Sequence, residues 1–312
     1  MTRAPESQPG VSLKTRRHVL ELRRRHSFRE VARLAGLPLG TVKAICSRAG
    51  VFRDNPAHRA LFSLPPIRES GESGETLPAV PELPPQERVT GDPELDAVLW
   101  LRAVIDTGSP ILIAKAMDAR ARIRASLDTL EARYAAFLRE TQPGNLFAGL
   151  ATVGFADLEG LAARAIKRSR SQTQARARFG DALFDPTPAE LFCIDALAGL
   201  EADGLLGDFD QSEVATRFKE RADLLPQTLA DCLHELLFWS GLWRLRAAVH
   251  FDCADPAPEG SARDWFVFGM LAEIRPRSKE EAVAVLRFLC EEDRMGARGT
   301  DAILMNLVGG SA

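Results

Sequence analysis

The sequence lacks most features that would mark a secreted or membrane-spanning protein. Its five cysteines are odd in number and scattered through apolar patterns, which favours reduced thiols over a disulfide framework. No apolar run reaches membrane-spanning length, and no signal-peptide-like apolar segment precedes the basic N-terminal region. These absences predict a cytoplasmic protein without a membrane partner.

Catalytic and cofactor motifs are missing as well. The segment "GLEADGLLGDFD" has neither the carboxylate spacing of a calcium loop nor a P-loop lysine. No serine, histidine and acid arrangement is identifiable. One zinc-like set exists, consisting of Cys232, His234, His250 and Cys253. Its first two members lie two positions apart on a predicted helix, where side chains point in different directions and do not chelate together readily. We therefore expect no enzyme, no catalytic residue, no metal and no cofactor.

Charge is distributed unevenly along the chain, although the formal net charge is only -3. Residues 1–70 contain 14 Lys and Arg against 5 Asp and Glu, whereas the remainder contains 26 against 38. This asymmetry indicates an anion-binding N-terminal segment on an acidic body. DNA would repel that body, so only the N-terminal face is competent to dock.

The apolar pattern predicts an all-α protein, because helical spacing recurs along the chain and neither strand-hairpin signatures nor internal repeats are found. Seven prolines interrupt the segment 65–93, which reads as a partly extended linker. We predict a helix-turn-helix domain over 1–62, a flexible Pro-rich linker over 63–93 and a larger helical domain over 94–312.

The stretch "SFREVARLAGLPLGTVKAICSRAG" has the spacing of a helix-turn-helix. A preceding helix is predicted to begin after Ser12. Ser27 is expected to cap the second helix, with Glu30 as its capping-box partner. Ala32 supplies the small residue at the helix crossing, and Gly36 supplies the turn residue that tolerates positive φ. The third helix is predicted over about 39–49.

Helical phase divides the third helix into a packed face and an exposed face. The packed positions are Val42, Ile45, Cys46 and Ala49, and the small core is completed by Val31, Leu34, Leu37 and the first helix. The outward positions are Gly40, Lys43, Ala44 and Ser47, flanked by Thr41 and Arg48. We expect Thr41, Lys43, Ala44, Ser47 and Arg48 to meet bases in the major groove. Arg29 and Arg33, with the run Arg23–Arg25, are expected to hold phosphates.

Two resemblances support this interpretation. "GLPLGTVKAICSRAG" is similar to the recognition helix of region four in extracytoplasmic-function sigma factors. Those proteins carry a core-polymerase-binding domain before this region, and 26 residues precede Ser27 here, so we do not expect a full sigma factor. "LPLGTVKAICSRAGVFRDNPAHRALFSLPPI", "TLPAVPELPPQERVTGD", "GFADLEGLAARAIKRS" and "TPAELFCIDALAGL" resemble the KlcB proteins of broad-host-range plasmids, whose N-terminal segment is similar to that of the repressor KorC. The resemblance implies a plasmid-backbone regulatory protein and no catalytic residue.

The predicted function is sequence-specific binding of double-stranded DNA, as a transcriptional repressor or co-regulator of plasmid operons. The alternative is a helical accessory protein that binds another plasmid or host protein, with DNA contact secondary. A second basic run, 164–178, is either another DNA-binding helix or a face exposed to solvent or an acidic partner. Because one small module covers a short site, we predict a homodimer through 94–312, with the aromatic segment 236–268 as its interface.

Overall fold

The protein is all-helical, as predicted. The computed structural model describes residues 11–23, 26–49, 53–68, 82–145, 152–202, 209–250 and 256–309, without the side chains of 47–49. Within those ranges the chain forms fourteen α-helices and two short 3-10 helices, and no strand. No helix among these residues is long and apolar enough to cross a membrane.

The helices are numbered in chain order. The first seven are α1 (Leu13–Arg23), α2 (Phe28–Ala35), α3 (Leu39–Ala49), α4 (Pro56–Leu61), α5 (Pro93–Asp106), α6 (Pro110–Arg120) and α7 (Leu127–Thr141). The others are α8 (Leu158–Phe179), α9 (Pro188–Ala196), α10 (Gln211–Glu220), α11 (Leu229–Val249), α12 (Pro258–Glu273), α13 (Lys279–Glu291) and α14 (Thr300–Gly309). The 3-10 helices are Gly180–Phe184 and Ala222–Leu224.

The chain divides into two compact units whose boundaries differ from those predicted from composition. The first unit comprises 1–64, 185–243 and 255–312, and the second comprises 65–184 and 244–254. Proline content marks where helices stop but does not say which segments pack together. Described residues at both ends of the Pro-rich segment make defined contacts inside the second unit. Trp100 Nε1 donates to the carbonyl of Pro84 at 2.8 Å, and the amide of Arg68 donates to the carbonyl of Ala177 at 2.9 Å.

Helix starts follow local sequence signals. Thr187 and Glu190 form a capping box at α9, and the Asp92 side chain accepts from two backbone amides at the start of α5. Each of these helices has proline in its first turn, where the missing N–H costs nothing. Ser109 occupies the N-cap position of α6, but its side chain makes no capping hydrogen bond. A short polar residue followed by proline thus stands at the start of each of these three helices.

In the second unit, the turn between α5 and α6 lies close to α8. Gly108 precedes α6 with φ of +68°. A Cβ atom there would lie 2.7 Å from Ser169 Cβ and 3.0 Å from the carbonyl oxygen of Ala165. Position 108 therefore requires glycine for two reasons, the positive φ of its backbone and the lack of space for a Cβ atom. The approach packs buried Ile113 against the α8 side of the core.

In the first unit, α4 belongs to a helical core formed with the later part of the chain. Asn55 Nδ2 donates to the carbonyls of Asp223 and Leu225 at 2.8 and 2.9 Å. The Asn55 amide donates to Asp231 Oδ2 at 2.9 Å, and Phe62 is fully buried. The predicted boundary at residue 62 thus falls at the end of a segment packed against α11. Helical periodicity alone could not reveal a partner about 170 positions away.

A buried carboxylate lies at the centre of this core. Glu235 is fully buried, and its two oxygens accept from Arg263 Nε at 2.7 Å and Nη2 at 2.9 Å. Glu235 Oε2 also lies 2.6 Å from Nε2 of buried His58. Burial by itself would raise the pKa of Glu235. The charge of Arg263, with the hydrogen bonds from His58 and Arg263, outweighs burial and lowers it. The carboxylate therefore remains ionised at neutral pH.

Aromatic rings surround the partner of that carboxylate. The Arg263 guanidinium carbon lies between 4.8 and 5.6 Å from four ring centroids, those of Phe62, Phe192, Phe218 and Phe266. At these distances the rings attract the cation through their quadrupoles. The rings thus favour a charge that would otherwise be costly to bury.

Most of the segment predicted as an aromatic dimer interface lies in the same core. Leu236 and Trp239 are fully buried, Phe238 and Phe268 nearly so, and Trp265 is 47% exposed. Phe251 falls outside the described residues. Most of these aromatic side chains therefore belong to the core, and the prediction of an interface across 236–268 as a whole is corrected.

We predict that Glu235→Ala destabilises the protein by about 3–5 kcal/mol, because it leaves the Arg263 charge buried and unpaired. Urea unfolding of the full chain measures the change. Glu220→Ala is the matched control, since Glu220 is an exposed glutamate of the same unit, and its effect should stay within about 0.5 kcal/mol. A loss below about 1 kcal/mol for Glu235→Ala would contradict this view of the core.

Candidate nucleic-acid interface

The turn between α2 and α3 has the predicted geometry. The Ser27 side chain accepts from the Glu30 amide at 3.3 Å and caps α2. Gly36 ends the helix in the left-handed region, at φ +64°. The amide of Leu37 returns to the carbonyl of Ala32 at 3.0 Å, so the turn satisfies carbonyls that the helix end leaves open. Only half of the expected capping box forms, because the Glu30 carboxylate lies 3.3 Å from His26 Nδ1.

The three helices pack around a small apolar cluster. Its fully buried members include Val19, Val31 and Val42, and Cys46 is 1% exposed. Burial raises the pKa of the Cys46 thiol, with the Arg23 charge opposing it. The cluster therefore holds a neutral thiol that acts as a small apolar side chain. The predicted inward positions Val42, Ile45 and Cys46 are confirmed.

One predicted core residue is not in this cluster. Leu34 is 43% exposed, so its assignment to the core is wrong. The packed face of α2 is formed by Phe28, Val31, Ala32 and Ala35. At about 100° per residue, Leu34 falls roughly 110° from the centre of that face. Apolar character alone did not distinguish it from its packed neighbours.

On α3, the predicted outward positions that the structure describes are accessible to different degrees. Gly40 and Lys43 are exposed, and Thr41 and Ala44 are half-buried. The backbone of Ser47 and Arg48 continues the helix, but their side chains lie outside the described residues. Lys43 thus brings an exposed ammonium to the first half of α3. The described residues around it, Gly40, Thr41 and Ala44, are small.

The arginines predicted to hold phosphates fall into two groups. Arg29 and Arg33 are exposed on α2, and their four-residue spacing places them on one face. Arg23 is instead used locally, since its Nη1 donates to the His26 carbonyl at 2.7 Å and its guanidinium lies 4.2 Å from the Phe28 ring centroid. Burial lowers the pKa of Arg23. Arg24 and Arg25 lie outside the described residues.

Of the zinc-like set, Cys232 lies in the core and His234 takes part in hydrogen bonds. Cys232 is fully buried, and burial raises the pKa of its thiol well above the usual value. His234 Nε2 lies 3.2 Å from both Ser63 Oγ and the Arg59 carbonyl. Cys253 lies outside the described residues, and no group of three metal-ligating side chains occurs among those described.

No family model, curated protein or solved structure matches this chain. The candidate interface is therefore described from the geometry of α2 and α3. It combines a left-handed glycine turn, a helix packed by Val42 and Cys46, and exposed cations at Arg29, Arg33 and Lys43. Chemically, such a surface can donate hydrogen bonds and neutralise anions. It contains no described nucleophile activated for catalysis.

Two glycine substitutions test this turn. Gly36→Ala should destabilise the three-helix cluster by about 1–2 kcal/mol, because a residue with a Cβ atom disfavours the left-handed conformation. A steric clash does not contribute, since no atom lies within 4 Å of the Cβ position. Gly40→Ala is the control, since its Cβ position is equally open and alanine favours helix by up to about 1 kcal/mol. Hydrogen exchange at Val42 and Cys46 should accelerate in the first variant and slow or stay unchanged in the second. Equal effects of both substitutions would disprove the role of the turn.

Proposed function

We propose that this protein binds double-stranded DNA sequence-specifically and acts as a transcriptional repressor or co-regulator. The observation that carries the proposal is the position of Lys43, which is exposed on α3. This helix follows the left-handed turn at Gly36, and its Val42 side chain is buried in the core of the three helices. In helix-turn-helix proteins the second helix of the motif, which corresponds to α3 here, enters the major groove and reads bases with its N-terminal residues. α3 has the length and the accessible small side chains for this role.

In the proposed complex, base contacts and phosphate contacts come from different helices. Lys43 donates to acceptor atoms of a base pair, as lysine does to guanine O6 and N7. Thr41, Ala44, Ser47 and Arg48 are assigned to the same groove. Arg29 and Arg33 neutralise phosphates and set the position of α3, and the basic excess of residues 1–70 steers the chain toward DNA.

The proposal includes a homodimer, because one module of this size covers a short site. With 236–268 largely buried, we assign the contact to α14. Met305 and Val308 are about three quarters exposed there, while Ile303 and Leu307 of the same helix pack into the core. An apolar pair three positions apart forms one continuous patch on a helix. Two such patches would bury each other in a symmetric contact.

DNA recognition is tested by Lys43→Ala on a fragment selected from genomic DNA with the intact protein. We expect affinity for that fragment to fall about 5- to 150-fold, equivalent to about 1–3 kcal/mol, while affinity for a scrambled duplex falls much less. Arg33→Ala should weaken binding to both duplexes equally, since a phosphate contact carries no sequence information. Fluorescence anisotropy gives all of these values.

Lys279→Ala is the matched control, because Lys279 is an exposed lysine of the same unit outside the proposed interface. Its affinities should equal those of the unaltered protein. Selective binding that survives Lys43→Ala would remove α3 from recognition. If the intact protein selects no duplex but captures a protein partner in a defined complex, the accessory-protein alternative replaces the proposal.

The dimer is tested by Met305→Glu combined with Val308→Glu. We expect the full chain to sediment as a dimer at micromolar concentration and the double variant as a monomer, because burying charge at the contact is costly. Leu83→Glu with Val89→Glu introduces the same charge at exposed apolar positions of the other unit and should leave the dimer intact. A monomeric unaltered chain would refute dimerisation. A dimeric double variant would refute the assignment to α14.

A further inference from the structure

A groove of about 780 Å³ runs along α8 in the second unit. Its wall includes Ala163, Lys167, Arg170, Gln174 and Ala177, which recur at helical spacing along one face. At 1.5 Å per residue, the face from 163 to 177 is about 21 Å long. The groove is therefore an elongated surface rather than a compact chamber.

The basic residues of α8 do not form one uniform charged surface. Arg164 pairs with Asp157 at 3.4 Å, and Arg168 lies 3.5 Å from Asp106. Lys167 and Arg170, by contrast, are exposed and have no acidic partner among the described residues. The fold thus neutralises one part of the basic run and leaves two cations facing the groove.

Ile67, Pro110 and Ile166 form an apolar part of the groove lining, and the other polar side chains complement an anion. Arg244 also lines the groove, and Ser169, Ser171 and Thr173 add hydroxyl groups. The described residues that line the groove include no aspartate or glutamate. Clustered cations attract polyanions over several ångströms. Among the described residues of the wall there is also no aromatic ring on which an unpaired base could stack.

The length and the charge of the groove indicate which ligand it binds. The length of the groove corresponds to about six base-pair steps of a duplex, each presenting a phosphate on each strand, and exceeds what a small phosphate compound would cover. From this geometry we propose that the α8 groove is a second DNA-binding site that holds the phosphate backbone of double-stranded DNA independently of sequence. It shares its ligand with the proposed function but none of its residues, and it adds affinity without adding selectivity.

The test uses the full chain and a 30-base-pair duplex of mixed sequence at 50 and 200 mM KCl. Lys167→Ala with Arg170→Ala removes two phosphate contacts. Each contact contributes about 0.9 to the slope of log affinity against log salt. Between the two salt concentrations, the affinity of the unaltered protein should therefore fall about twelvefold more than that of the variant. Lys115→Ala with Arg176→Ala is the matched control, because both side chains are exposed on helices of this unit outside the groove.

The result expected is a reduced slope in the groove variant alone, with equal losses on selected and mixed-sequence duplexes. An unchanged slope in the groove variant, or an equal reduction in the control, overturns this inference and leaves the α3 proposal standing. If Lys43→Ala has no effect while the groove variant lowers the slope, the α3 proposal fails and this inference stands. Binding of tripolyphosphate that the groove substitutions abolish, with duplex binding intact, would assign the groove to a small phosphate ligand and overturn the inference.

Discussion

The first unit depends on the requirement that a buried carboxylate be paired. Glu235 is fully buried on α11, where an isolated negative charge would cost several kcal/mol. Arg263 supplies two hydrogen bonds and the opposite charge, and His58 supplies a third contact at 2.6 Å. Because His58 belongs to α4 and Arg263 to α12, one carboxylate joins two consecutive helices, α11 and α12, to the distant helix α4. The phenylalanine rings around Arg263 then complete the core.

This arrangement has a consequence for α3. Six residues separate Ala49, at the end of α3, from Pro56, at the start of α4, and such a segment spans at most about 25 Å. Asn55 and Arg59 add further hydrogen bonds to Asp231 beside the central group. The recognition helix proposed here is thus tethered closely to a helix held in the core. The segment predicted as a flexible linker, 63–93, follows that anchor in the sequence, and its described residues Arg68 and Pro84 make contacts inside the second unit.

Local features could be predicted from the sequence, whereas distant pairings could not. Ser27, Gly36 and the packed positions of α3 were identified because caps, turns and helical phase act over a few residues. Leu34 was misassigned because phase depends on which face the neighbouring helices cover. The Glu235 group was missed, although Asp231 and Glu235 lie four apart within an otherwise apolar stretch of α11. That spacing was an available signal, but their partners lie up to 177 positions away. Likewise, the sequence shows one basic run on α8, and only packing separates its paired cations from those facing the groove.

The most direct test of the central claim, that α3 is the helix that reads DNA, is hydrogen exchange in the full chain with and without a selected duplex. The account predicts slower exchange across the α3 backbone from Thr41 to Cys46 when DNA is bound. Exchange in the buried part of α11 around Trp239 should not change, because that helix makes no proposed DNA contact. Protection of other segments with α3 unaffected would contradict the account.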